Sequence, residues 1–112
     1  MDTVAILRLR TTLQAMYSAG SDLNINMAVT FLTVAAFPGR PLREYEEMLG
    51  HPSSTMSRHL LDLGPRNRRK EAGLGLVDIE RNPEDWRFNV YTLTPKGMAL
   101  VSTLTRLMET QR

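Results

Sequence analysis

Ser53-Ser54-Thr55-Met56-Ser57-Arg58-His59-Leu60-Leu61-Asp62-Leu63 is the stretch on which the fold turns. Met56, Leu60 and Leu63 recur at i, i+4 and i+7, the spacing of one buried helix face. The other side carries Ser54, Ser57 and Arg58, small or basic side chains free to point outward. Leu42 to Leu49 reads as a short helix that stops at Gly50, and His51-Pro52 is a tight connection between the two. Two helices joined by a glycine-bearing turn form a helix-turn-helix. In such a unit the second helix buries one face on its support and offers its N-terminal end to base edges and phosphate. Taken alone, the serines fit the start of an ordinary helix equally well.

The flanking sequence favours the first reading. Gly64-Pro65 stops or bends the chain, and Arg66 to Gly75 is a basic stretch closed by glycines. Arg58, Arg66, Arg68, Arg69 and Lys70 fall close together and are opposed only by Asp62, while the acids collect at 44–47 and 78–85. A net charge of +2 says little about partners. A locally basic segment on a near-neutral chain suits a phosphate-docking surface, and a solvated loop is the alternative. Leu76 to Arg81 alternates, with Val77 and Ile79 on one side and Asp78 and Glu80 on the other, as a half-exposed strand does. Asn82-Pro83-Glu84-Asp85 is turn chemistry. Trp86 to Leu93 is expected to return antiparallel, with apolar residues on both faces. Thr94-Pro95 opens a last helix to about residue 110, with Met98, Val101, Leu104, Leu107 and Met108 as its apolar face.

Working back toward the N-terminus, the periodicity predicts helices over about 2–18 and 23–37, the second capped by Ser21 or Asp22. Its expected inward face is Ile25, Ala28, Val29, Leu32, Ala35 and Ala36, and Pro38-Gly39-Arg40-Pro41 ends it. Met16, Tyr17, Phe31 and Phe37 are expected in the core. A chain of 112 residues, 42% hydrophobic and 23% charged, supports one modest core and one domain. The absence of cysteine removes disulfides, thiolate catalysis and cysteine-ligated zinc. The N-terminus lacks a basic-then-apolar leader and no apolar run spans a bilayer, so a cytoplasmic location is expected. No Ser-His-Asp set, paired carboxylates or phosphate-binding glycine loop has credible spacing, so no enzyme, cofactor or catalytic residue is expected. His51 and His59 are expected to be too far apart, and too short of partners, to suggest a metal site; packing or solvent is favoured for His59 over a phosphate contact, and Trp86 is expected to brace the hairpin.

Several fragments together resemble the multiple-antibiotic-resistance-regulator (MarR) family of winged helix-turn-helix transcription factors. They are Leu49-Gly50, Ser54-Thr55-Met56-Ser57-Arg58, Gly75-Leu76-Val77, Asn82-Pro83-Glu84-Asp85-Trp86-Arg87 and Leu93-Thr94-Pro95-Lys96-Gly97. The family's wing carries Asp-x-Arg and, at this distance, Leu-Thr-x-x-Gly. Asp85, Arg87, Leu93, Thr94 and Gly97 match it without a gap. The resemblance implies that Arg87 enters or borders the minor groove, held by Asp85, and that Ser54, Thr55, Ser57 and Arg58 face the major groove or its phosphates. The alternative for Asp85 and Arg87 is a surface ion pair that stiffens the hairpin. The family also implies a homodimer joined by its end helices, here 1–20 and 95–112, whose apolar faces exceed what so small a domain covers.

Three features depart from the family. Tyr45 and Glu46 stand where it usually has Leu-Ala, so a wider or shifted helix crossing is expected. Gly64 to Gly73 is an insertion, expected to add phosphate contacts. The last helix ends early, so a smaller dimer interface is expected.

The sequence therefore predicts a mainly α winged helix-turn-helix with a small β-hairpin, in the order helix, helix, helix, turn, helix, hairpin, helix. The expected function is a repressor that binds double-stranded DNA as a homodimer on a near-palindromic site. A winged-helix adaptor that binds another protein is the alternative. The expected DNA-facing residues are Ser53, Ser54, Thr55, Ser57, Arg58, Arg66, Arg68, Arg69, Lys70, Arg81 and Arg87, with Asp85 as wing support. No metal site is expected, and the sequence assigns no effector.

Overall fold

Local capping chemistry sets most helix boundaries. The computed structural model describes residues 1–65 and 72–109. Helix α1 (Thr3–Ala19) starts at Asp2, whose carboxylate accepts from the Ala5 N–H at 3.1 Å. Helix α2 (Ile25–Ala36) is capped by Asn24, which accepts from Met27 N–H at 2.8 Å, and not by Ser21 or Asp22. Helices α3 (Leu42–Leu49) and α4 (Ser53–Leu63) follow Pro41 and Pro52. Between them Gly50 takes φ +68°, the left-handed conformation that ends α3 and that glycine adopts without strain. Strands β1 (Val77–Arg81) and β2 (Asn89–Leu93) form an antiparallel hairpin, and α5 (Pro95–Met108) closes the order.

The core is built from Met27, Phe31 and Val34 of α2, Tyr45 of α3, Met56, Leu60 and Leu63 of α4, Leu76, Val77 and Tyr91 of the hairpin region, and Met16 and Leu104 of the end helices. The stripe read on α4 is the buried one. That read on α2 is not: Met27, Thr30, Phe31 and Val34 are inside, while Ile25, Val29 and Leu32 are exposed. Helix α2 is apolar nearly all round, so its periodicity fits two faces and only its neighbours decide between them. Met16 and Phe31 are core as expected, but Tyr17 and Phe37 are exposed. Tyr17 stands one position past Met16, on the outer side of α1, and Phe37 lies past the last turn of α2.

The hairpin register pairs Val77 with Leu93, Ile79 with Tyr91 and Arg81 with Asn89. The return strand begins at Asn89, so Trp86 to Phe88 belong to the tip. Of the β1 residues expected to face inward, Val77 is buried but Ile79 is exposed, because the strand runs out past the core. Tyr91 also makes an antiparallel bridge to Arg40, which adds the α2–α3 connection to the edge of the hairpin. Gly97 is buried at the start of α5, and a Cβ there would collide with the Leu76 carbonyl oxygen. Thr94 caps α5 by accepting from Gly97 N–H at 3.0 Å and donates to the Gly75 carbonyl at 2.6 Å. The Leu-Thr-x-x-Gly stretch thus ties the last helix to the base of the hairpin. Among the described residues no helix is long and apolar enough to cross a membrane.

Candidate nucleic-acid interface

Helix α4 presents the face that its sequence divides from the core. Ser53, Ser54, Ser57 and Arg58 are exposed, Thr55 is half-buried, and Met56, Leu60 and Leu63 are buried. Pro52 supplies no capping side chain. The first amides of α4 therefore add to the partial positive charge of the helix start.

The wing tip is a hydrogen-bonded turn. Asn82 N–H donates to Phe88 C=O at 2.9 Å, Glu84 N–H donates to Asn82 Oδ1 at 2.9 Å, and Phe88 N–H donates to Asp85 C=O at 3.1 Å. Arg87 forms a two-pronged pair with Asp85, Nε to Oδ1 and Nη2 to Oδ2, each at 2.9 Å. This pairing holds the Asp85 carboxyl below, and the Arg87 guanidinium above, their ordinary values. The pair is exposed and adds little to stability, but it restricts where Arg87 points. Arg81 donates from Nη1 to the Trp86 carbonyl at 2.7 Å, and its guanidinium lies 5.7 Å from the centre of the Trp86 ring. Trp86 itself is 72% exposed, so it braces the hairpin through this cation–π contact and not by burial.

Ser53 at the start of α4 and Asp85, Arg87, Phe88 and Asn89 of the wing line one groove of about 620 Å³, closed on its third side by Arg43 and Glu46 of α3. The serine-bearing helix end and the wing arginine therefore share a side of the molecule. Arg43 and Asn89 were not singled out by the sequence, and Asn82 only as part of the wing turn. For Arg43 the available signal was its place three residues before Glu46, on one side of a helix already identified as the support of α4. Arg66, Arg68, Arg69 and Lys70 lie outside the described residues.

No protein-family model matches the chain, and no curated protein matches it. Solved structures do. A MarR family transcription regulator superposes with a TM-score of 0.63 at 21% identity over 92% of this chain. The transcriptional regulator PcaV from Streptomyces coelicolor superposes at 0.61 with 26% identity, covering 89% of this chain and 71% of PcaV. FabT from Streptococcus pneumoniae, solved in complex with DNA, superposes at 0.62 with 22% identity over 76% of this chain and 54% of FabT. The fold is the MarR-type winged helix. The chain spans 59% of the length of the first of these relatives.

Tyr45 is fully buried, its ring edge-on to Tyr91 with centroids 6.2 Å apart. Its hydroxyl donates to the Phe37 carbonyl at 2.7 Å, accepts from the Arg40 N–H at 3.3 Å and lies 3.3 Å from the Tyr91 carbonyl oxygen. Burial pushes this hydroxyl above its ordinary pKa, which keeps it protonated and able to donate. Glu46, its neighbour, is half-buried in the groove wall. At the insertion, Gly73 N–H donates to Pro65 C=O, Leu74 N–H to Asp62 C=O, Gly75 N–H to Gly64 C=O and Leu76 N–H to Leu63 C=O, at 2.8–3.1 Å. The chain therefore leaves α4 and returns to β1 at one antiparallel base. At the C-terminal end, α5 packs along α1, where Thr12 Oγ1 lies 3.4 Å from Met108 Sδ.

The expected separation of the two histidines is corrected. The rings of His51 and His59 stand edge to face with centroids 6.1 Å apart, because the turn after α3 folds His51 back along α4. His59 Nδ1 also lies 3.5 Å from Thr30 Oγ1 of α2. Among the described residues no group of three or more His, Asp or Glu side chains is placed to hold a metal ion.

Proposed function

We propose that this protein is a non-catalytic transcription regulator of the cytoplasm that binds double-stranded DNA as a homodimer on a near-palindromic site and represses transcription there. The observation that carries the reading is the groove shared by Ser53 and Arg87. A duplex backbone lying across it meets the amides of the α4 start and the guanidinium of the wing, while Ser54, Ser57 and Arg58 reach base edges. Asp85 occupies two of the five guanidinium N–H donors of Arg87, and the others serve a phosphate or the minor-groove edge. Arg81 contributes field at the same wing, and Arg66, Arg68, Arg69 and Lys70 add phosphate contacts.

Homodimerisation is supported by the end helices. Ile6, Leu9, Leu13 and Tyr17 form an exposed apolar stripe on α1, and Met98 and Met108 are exposed on α5. A second copy covering these faces removes them from water. Two-fold symmetry then sets the recognition helices roughly one duplex turn, about 34 Å, apart. We take 1–112 as one domain, with 1–20 and 95–112 as its dimerisation helices.

The test is selection from a random duplex pool at low salt. Enrichment of a two-fold-symmetric sequence is the expected outcome. No retention of duplex would overturn the reading and favour a protein-interaction adaptor. Alanine at Arg66, Arg68, Arg69 and Lys70 together is expected to weaken binding and flatten the salt dependence, by about 0.9 in the log–log slope for each phosphate no longer neutralised. Unchanged affinity and slope would remove the basic segment from the interface.

A further inference from the structure

We infer that the buried hydroxyl of Tyr45 is a positioning group that fixes the tilt of the wing, and so the placement of Arg87 relative to helix α4. The inference rests on the duplex-binding reading of the groove. Its basis is a three-way junction. The α2–α3 connection is joined to β2 by two backbone bonds, Gly39 N–H to Tyr91 C=O at 2.8 Å and Tyr91 N–H to Arg40 C=O at 3.1 Å. Beneath them sits the Tyr45 hydroxyl, donating to Phe37 and accepting from Arg40. The side chain comes from the middle of α3, the helix that supports α4 and lines the groove. The hydroxyl therefore ties the supporting helix to the connection before it, and that connection is in turn bonded to the strand that carries the wing.

The geometry gives this junction leverage over the tip. Arg87 stands four residues before Tyr91, at most about 13 Å away along the chain. A tilt of about 5° at Tyr91 moves a point at that distance by about 1 Å, which exceeds the roughly 0.5 Å within which a binding constellation must be held. The tip of the wing is exposed. Beyond Val77, β1 is solvent-exposed, and the tip carries Trp86 and Phe88 in water. Phenylalanine at position 45 keeps the ring in the core and its edge contact with Tyr91. It removes the acceptor from Arg40 N–H and the donor from Phe37 C=O, which frees the connection, and the strand bonded to it, to shift against α3.

The test is a double-mutant cycle on the duplex selected above, with Tyr45→Phe, Arg87→Ala and the pair. Arg87→Ala is expected to weaken binding at least about tenfold. Tyr45→Phe is expected to weaken it about fivefold, and to cost almost nothing further once Arg87 is gone, because the two act through one contact. Leu104→Val, a core change in α5, is the control: it lowers stability but stays additive with Arg87→Ala. The single tryptophan, Trp86, reports the wing without DNA, and Tyr45→Phe is expected to alter its quenching by acrylamide. Additive losses with unchanged Trp86 quenching would overturn the inference and leave the duplex reading intact. No loss from Arg87→Ala would overturn the wing contact itself, and the inference with it. Should Tyr45→Phe fail to fold, hydrogen exchange on the unsubstituted protein decides. Arg40 and Tyr91 amides opening as one unit is the expected result, and independent exchange sinks the proposal.

Discussion

Helices α2 and α4 each place a row of apolar side chains in the same core, yet only one of them declares its inner face in the sequence. In α4, Met56, Leu60 and Leu63 are set off from Ser54, Ser57 and Arg58, so a single rotation about the helix axis puts these three inside and leaves Leu61 exposed. In α2, Ile25, Val29, Leu32 and Ala36 make one stripe at i, i+4, i+7 and i+11, while Met27, Phe31 and Val34 make another. The structure buries the second. Ile25 remains 77% exposed. The lesson is that periodicity selects a face only where the opposite face carries a penalty for burial. Serine and arginine supply that penalty in α4; in α2 Thr30, itself polar, lies inside with its hydroxyl bonded to the Asn26 carbonyl at 2.9 Å.

The comparison can be broken by substitution. Phe31→Ala should produce the largest loss, about 3–5 kcal/mol of unfolding free energy, measured by urea denaturation. A loss below about 1 kcal/mol would return the core to the other stripe of α2. Leu60→Ala should cost about 2–5 kcal/mol, since its neighbours are equally close-packed. On the outer face of α4 the effect changes kind. Arg58→Ala should leave the urea midpoint unchanged and cost about 1–3 kcal/mol of duplex binding, with specificity relaxed at one position if it touches a base. Equal weakening on all sequences makes Arg58 a phosphate anchor instead. The smallest effect belongs to the outer stripe of α2. Ile25→Ser should stay within about 0.5 kcal/mol of the parent protein in the same unfolding experiment. A larger change at Ile25 would mean that this stripe too is covered in solution.

Much of the candidate interface was legible because its residues carry local rules. Ser53 to Leu63 is bounded by Pro52 and Gly64, Thr94-Pro95 is a cap followed by a first-turn proline, and Asn82 to Asp85 turns the chain through its own side chain and main chain. The Asp85–Arg87 pair spans two residues, so its existence is a local fact. What escaped the sequence involves partners far apart in it. Tyr45 meets Tyr91 across 46 positions, His51 meets His59 only once the turn has closed, and Arg43 joins the groove only because the wing folds over α3. The boundaries of the return strand were misread for a related reason. Trp86 and Phe88 have strand-forming side chains, but Phe88 is held in the tip by its bond to Asp85.

The amino-acid order alone determined the succession of helices and strands, the inner face of α4, the Thr94 cap of α5, and the pairing of a wing arginine with its carboxylate. All of these follow from interactions within about one turn of chain, where covalent connection already holds the partners together. Which face of α2 is buried, where Tyr45 directs its hydroxyl, and that Ser53 and Arg87 border one groove were decided by tertiary packing. Those contacts join segments that are independent until the core closes, and a hydrophobic pattern with two solutions has no local term to choose between them.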